Sequence, residues 1–202
     1  MQSIDSKMLS RIYGNGKGCV VTPGVFLDLG SRQAVDLALY RLVKKGTLRR
    51  LARGLYDYPR TDPDLGLLSP TTDAIVKALR GRDNILLQPS GGYAANLLGL
   101  SDQVPMKIVF LTDGPGRRVQ IGKQVIIFQH TTPRAMATAG RISGLVIQAL
   151  RHIGQRHMDD AVVNRLQKRL SDDDKKQLLQ DIRYAPAWIA AIVRRVAGPE
   201  GK

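Results

Sequence analysis

The sequence predicts an α+β protein in two parts. A small, strongly basic N-terminal part is made of helices closed by a hairpin. A larger part alternates helices and strands and then runs into a helical tail. Three observations carry this reading. The chain has 202 residues, 43% of them apolar and 24% charged, a composition close to that of soluble globular proteins and a length sufficient for one ordinary domain or two small ones. The stretch 59–70, PRTDPDLGLLSP, gathers three prolines, Gly66 and polar turn formers between two periodic regions, which marks a linker. The order of elements also differs on its two sides. The expected division is residues 1–60, a linker at 61–70, and a second domain at 71–202.

In the first part, residues 4–13 read as a short helix, and GNGKG at 14–18 as a loop leading to the apolar run Cys19-Val20-Val21. Thr22-Pro23 has the form of a helix start, and Gly30 is the expected end of that short helix. Ser31 then starts another. From 31 to 45, Val35, Ala38, Leu39, Leu42 and Val43 recur at three- and four-residue spacing on one face, and Gly46 is placed as the C-terminal cap. Residues 47–51 and 55–58 are strand-like runs joined by Ala52-Arg53-Gly54, a hairpin. Helix, short strand, helix, helix, hairpin within about 60 residues is the element order of a winged helix-turn-helix.

The second part has a different grammar. Helices are expected over 71–79 and 92–98, and strands over 84–88 and 107–112. A hairpin follows from 117–121 and 124–129, and a helical tail begins near 141, so the domain is mixed α/β. In the tail, Ser171 followed by Asp172, Asp173 and Asp174 reads as a capped helix start with negative charge at the positive end of the dipole. Trp188, Ile189, Ile192, Val193 and Val196 form an apolar stripe read as core or as a partner-helix face, with core favoured.

The charge balance selects the partners to consider. Thirty-one Lys and Arg against seventeen acidic residues leave +14, so a polyanion comes first, nucleic acid ahead of an acidic membrane surface. Residues 1–60 hold eleven Lys/Arg against four Asp, making the smaller part the denser in charge. No run approaches the roughly 18 apolar residues of a membrane span, and the N-terminal MQSIDSKMLSRIY lacks an apolar signal core. The single Cys19 can form neither an intrachain disulfide nor a Cys-rich zinc site; it reads as a small buried hydrophobe. The expectation is a soluble, cytoplasmic protein.

A recognition helix must offer polar side chains to base edges while its other face grips the domain. On the helix over 31–45, Gln33, Tyr40 and Lys44 lie almost opposite Val35 and Leu42, with Arg32 in the first turn. Arg32 and Gln33 are the leading base readers, because Arg suits guanine O6/N7 and Gln suits adenine N6/N7. Tyr40, Arg41 and Lys44 are better placed for phosphate. Arg49, Arg50 and Arg53, on or beside the hairpin turn, suit phosphate or the minor groove. A solvated charged face is the competing reading. Against it, eight Lys/Arg and two Asp lie between Arg32 and Arg60, on the two elements a winged helix directs at DNA.

Two stretches carry a family resemblance. LGSRQAVDLALYRLVKKGTLRRLARGLYDYPR, residues 29–60, resembles the N-terminal region of antitoxins of the AbiEi type from bacterial type IV (abortive infection) toxin–antitoxin systems. LLQPSGGYAANLLGLSDQVPMKIVFLTDG, residues 86–114, resembles the opening of their C-terminal domain. The resemblance implies a winged helix that represses its own operon by binding inverted repeats in double-stranded operator DNA. It implies a C-terminal antitoxin domain that counters a nucleotidyltransferase-like toxin without a stable complex. DNA contacts would carry over to Ser31, Arg32, Gln33 and Arg41 on the helix and to Arg49, Arg50 and Arg53 on the wing. Tyr40 departs from the smaller polar residue expected at its position.

The chain offers little for catalysis, and no enzyme activity, metal or cofactor is expected. GNGKG fails the phosphate-loop pattern in spacing and context. Pro89-Ser90-Gly91-Gly92, between strand and helix, reads as capping and close packing, with an anion or nucleotide site as the alternative; G-x-S-x-G is absent. On that alternative, the second domain is a nucleotide-binding sensor or enzyme and the winged helix its DNA-targeting module. His130, His152 and His157 lack zinc-site spacing, and Glu200 is the only glutamate. Arg117, Arg118, Lys123, Arg134, Arg141, Arg151 and Arg156 either extend a DNA footprint or belong to a solvated surface.

Overall fold

The computed structural model describes residues 3–81 and 85–198. The chain is an α+β protein of two units, Met1–Asn84 and Ile85–Lys202. Among the described residues, no helix is long and apolar enough to cross a membrane.

In the first unit, α1 (Ile4–Gly14) starts where the Ser3 hydroxyl accepts from the Ser6 amide. It is followed by β1 (Val20–Val21), a 3-10 turn (Pro23–Phe26), α2 (Arg32–Lys44), β2 (Arg49–Ala52) and β3 (Leu55–Asp57). The three strands form one antiparallel sheet in the order β1-β3-β2. The core gathers Met8 and Ile12 from α1, Phe26 from the 3-10 turn, and Val35, Ala38, Leu39 and Leu42 from α2. A buried leucine contributes about 1.5–3 kcal/mol, so the apolar stripe anchors α2 more firmly than its helix propensity does.

Both ends of α2 follow from local chemistry. Ser31 accepts from the Ala34 amide at 3.3 Å, satisfying one of the free donors of the first turn. At the far end Gly46 has φ +73°; its N–H bonds to the Val43 carbonyl and that of Thr47 to the Leu42 carbonyl, both at 3.0 Å, the Schellman arrangement. The Leu48 amide also bonds to the Leu42 carbonyl. Strand pairing therefore begins at Arg49 and not at the expected position 47. The β2–β3 connection is the two-residue turn Arg53-Gly54, with Gly54 at φ +70° and a register shift between Arg50 and Ala52.

Three expectations for this unit are corrected. The short helix at Pro23 ends at Phe26, with no side-chain cap from Thr22, because a 3-10 turn seldom extends further. Gly30 answers a different need: a Cβ there would lie 2.9 Å from Ile4 Cδ1. Residues 61–70 are not a bare linker. They carry β4 (Thr61–Asp62) and β5 (Gly66–Leu67), paired antiparallel, with Asp62 Oδ1 accepting from the Asp64 and Leu65 amides. The helix α3 (Thr72–Arg80), expected in the second domain, packs against β1 and belongs to the first unit. Its buried Ile75, Ala78 and Leu79 form an apolar face that needs a partner.

The second unit has a four-stranded sheet of order β6-β7-β9-β8, from β6 (Leu87–Ser90), β7 (Lys107–Thr112), β8 (Arg117–Ile121) and β9 (Gln124–His130). Only the β7–β9 pairing is parallel. Pro89 is tolerated because β6 is an edge strand. The expected strand began at Asn84, which lies outside the described residues, as does Glu200.

Helices α4 (Gly91–Leu97), α5 (Pro133–Met136), α6 (Ile142–Ile153), α7 (Asp160–Arg169), α8 (Asp172–Gln180) and α9 (Ala187–Ala197) complete the unit. Val146, Leu150, Leu166, Leu178, Ile189 and Val193 form their common core with Ala94 and Ala95 of α4. Ile189, Ile192, Val193 and Val196 are buried and Trp188 packs against them, so the stripe on α9 is core. Ser171 and Asp174 form the reciprocal capping box of α8.

Candidate nucleic-acid interface

The outer face of α2 is built from residues that its inner stripe leaves over. At 3.6 residues per turn, Gln33, Leu37, Tyr40 and Lys44 share one stripe, and all four are exposed. Leu37 is 53% and Tyr40 57% exposed, and Lys44 Nζ stands 5.7 Å from the Tyr40 ring centroid. Leu37 is absent from the expected set because an isolated leucine on an amphipathic helix reads as core. Its wheel position, within about 40° of Gln33, was the available signal. An apolar side chain there can meet a thymine methyl.

The arginines divide into two groups. Arg50, exposed on β2, and Arg53, exposed in the turn, have no side-chain partner among the described residues. Arg49 is committed internally: it donates to both oxygens of Asp57, Nε to Oδ1 at 3.1 Å and Nη2 to Oδ2 at 2.6 Å, and to the Leu68 carbonyl at 2.8 Å. The Asp57 side chain is 1% exposed. Arg49 is therefore withdrawn from the wing contacts, because releasing it would leave a carboxylate buried without its partner. The paired carboxylate raises the Arg49 pKa further above its ordinary value, mainly through the hydrogen bond.

Arg41 is paired as well, with a more exposed carboxylate. It straps α2 to α1 through Asp5, Nε to Oδ2 at 2.9 Å and Nη2 to Oδ1 at 2.6 Å. That hydrogen bond holds the Asp5 carboxyl below its usual range, with burial opposing it. Arg32 pairs with Asp36 at 2.9 Å, and both side chains are about half exposed or more. A pair of that kind is worth little and can be exchanged for a phosphate or a base. Ser31 is occupied as the cap of α2. Arg11, outside the expected set, is also held, by Asp28 and the Val25 carbonyl.

The remaining motifs resolve into structural tasks. In GNGKG, Asn15 caps α1 and Gly18 donates to the Tyr58 carbonyl. Ser90 stands at the start of α4, yet its side chain does not cap that helix; the hydroxyl donates to Gln148 Oε1 at 3.1 Å. His130 Nδ1 lies 3.0 Å from the Gly114 carbonyl. Among the described residues, no three His, Cys, Asp or Glu side chains gather where they could hold a metal. Burial raises the Cys19 thiol pKa, away from nucleophilic use. Arg141, counted among the dispersed cations, is tied to the buried Asp181 at 2.8 Å.

A three-stranded β1-β3-β2 sheet with α1, a short turn of helix and α2 gives the first unit the element order expected of a winged helix-turn-helix, with the β2–β3 turn at the position of its wing, and it is joined in sequence to an α+β second unit. The chain belongs to the family of unknown function DUF6088, matching it over residues 7–178. No curated protein matches it. Among solved structures it is similar to the crystal structure of the RV2827C protein from Mycobacterium tuberculosis. The identity is 18% and the TM-score 0.44, over 89% of this chain and 72% of that one.

Proposed function

We propose that this protein is a DNA-binding transcriptional repressor whose first unit docks α2 in the major groove and sets Arg50 and Arg53 of the wing against the backbone or the minor groove. The observation that carries the reading is the continuous exposed stripe Gln33, Leu37, Tyr40 and Lys44, opposite a fully buried face on the same helix. Such a stripe supplies an amide for adenine, an apolar contact for thymine and a cation for phosphate. Two unpartnered arginines in the same unit add the sequence-independent attraction. Arg32 joins them by exchanging Asp36 for DNA.

The resemblance to the AbiEi antitoxins extends the proposal. The operator would be inverted repeats upstream of the protein's own gene, and the neighbouring gene would encode a nucleotidyltransferase-like toxin. The second unit would supply antitoxicity in the cytoplasm without a stable complex. The test is fluorescence anisotropy of the full chain on a duplex from its own upstream region and on a scrambled duplex. Preferential binding that weakens with salt, at a log–log slope of about −0.9 per neutralised phosphate, is expected. Equal affinity for both duplexes would remove the repressor reading.

A further inference from the structure

The second unit contains a cavity of about 160 Å³ whose lining includes Arg134 of α5, Thr138, Gln148 and Arg151 of α6, and Tyr184 of the 3-10 turn Ile182–Tyr184. Gln148 is 7% exposed. Its Oε1 is taken by the Ser90 hydroxyl, so the side-chain orientation is fixed, and its Nε2 has no partner among the described residues. Thr138 is 4% exposed, and its hydroxyl likewise makes no hydrogen bond among the described residues. Arg134 and Arg151 have no ion pair among the described residues.

No carboxylate lines the cavity. Asp181, three residues before Tyr184, is consumed by Arg141, Ser143 and Gln177. Two cations and two polar side chains with spare hydrogen-bonding capacity thus line one small space. Water can complete the hydrogen bonds there, whereas an anion also neutralises the positive charge of the two exposed guanidiniums.

The donors specify the anion. Two guanidinium forks carry five N–H groups each, and a side-chain amide and hydroxyls add to them. That supply exceeds what the two oxygens of a carboxylate can accept and suits the several oxygens of a phosphoryl group, which arginine binds bidentately. The volume falls below the roughly 300–1,000 Å³ of pockets that enclose a whole ligand. We propose that this cavity binds a tetrahedral oxyanion through Arg134, Arg151, Gln148 and Thr138: inorganic phosphate, or the terminal phosphoryl group of a nucleotide whose remainder stays in solvent. Ser90 is the positioning residue that turns the Gln148 amide toward it.

The test is calorimetric titration of the full chain with inorganic phosphate and, separately, with adenosine monophosphate. The Gln148 side-chain amide is followed in proton–nitrogen spectra. One saturable site is expected, with the Gln148 amide resonance moving on binding. Arg134→Gln and Arg151→Gln should each weaken binding about tenfold or more, while Lys168→Gln, on α7, should leave it unchanged; circular dichroism checks that each variant is folded. Comparable affinity for the two probes would identify free phosphate, and tighter binding of the monophosphate would identify a nucleotide source. A flat phosphate titration at millimolar concentration, or binding indifferent to both arginine substitutions, would overturn the proposal.

Discussion

Arg49 clasps Asp57 across the β2–β3 ladder with two hydrogen bonds, at 3.1 and 2.6 Å, and the carboxylate it holds is almost wholly buried. The register makes this pairing obligatory, since Arg49 and Asp57 are directly opposite. A third bond, to the Leu68 carbonyl, ties the β4–β5 segment to the wing. A side chain that charge counting assigns to DNA is therefore part of what holds the wing together.

Arg49→Ala should destabilise the protein by about 3 kcal/mol, the lower end for a broken buried pair because the guanidinium is partly exposed. Arg50→Ala and Arg53→Ala should stay within about 0.5 kcal/mol of the parent. Urea unfolding of the three variants separates a wing held by Arg49 from one in which the three arginines are equivalent.

Removing Arg50 and Arg53 together should lower DNA affinity on every sequence tested and reduce the salt slope by about 0.9 for each phosphate that is no longer neutralised. Anisotropy titrations from low to moderate salt provide the measurement. An unchanged slope would take the wing off the DNA.

Gln33→Ala and Leu37→Ala should act differently, relaxing discrimination at one base pair by about 1–3 kcal/mol and leaving the salt slope intact. Competition with single-base-pair variants of the operator reads this directly. A uniform loss across all variants would mean that α2 does not read bases.

The Asp5–Arg41 strap has a pH signature. The carboxyl pKa is lowered in the folded chain, so its contribution to stability is present above the unfolded value near about 3.9 and is lost as pH falls through the folded value. Denaturation midpoints followed from pH 7 to 3 should drop more steeply for the parent than for Asp5→Asn. Parallel curves would show that the strap contributes nothing.

The elements that were legible in the sequence are those with short-range signals. Ser31 and Gly46 bracket α2, Ser171 and Asp174 open α8, and Gly122 with Lys123 separates β8 from β9. Each depends on contacts a few residues apart, so reading along the chain finds them. The domain boundary and the state of the arginines were not legible. Whether α3 joins the first or the second unit depends on its packing against β1, some 50 residues earlier. Whether Arg41 is free depends on Asp5, on another helix.

Periodicity, caps and glycines along the chain were thus enough to find most of the helices and the strands of the two larger sheets, though not the β4–β5 pair, and to settle on which face of α2 the apolar residues fall. They also showed that cations concentrate around that helix and its hairpin. Only the folded arrangement decided which of those cations remain available. Charge is a property of a residue, but an ion pair is a property of a distance, and the distances from Arg41 to Asp5, from Arg49 to Asp57 and from Arg141 to Asp181 are set by packing. The same packing brought Ser90 to Gln148, 58 positions away, beside two arginines that no motif connects.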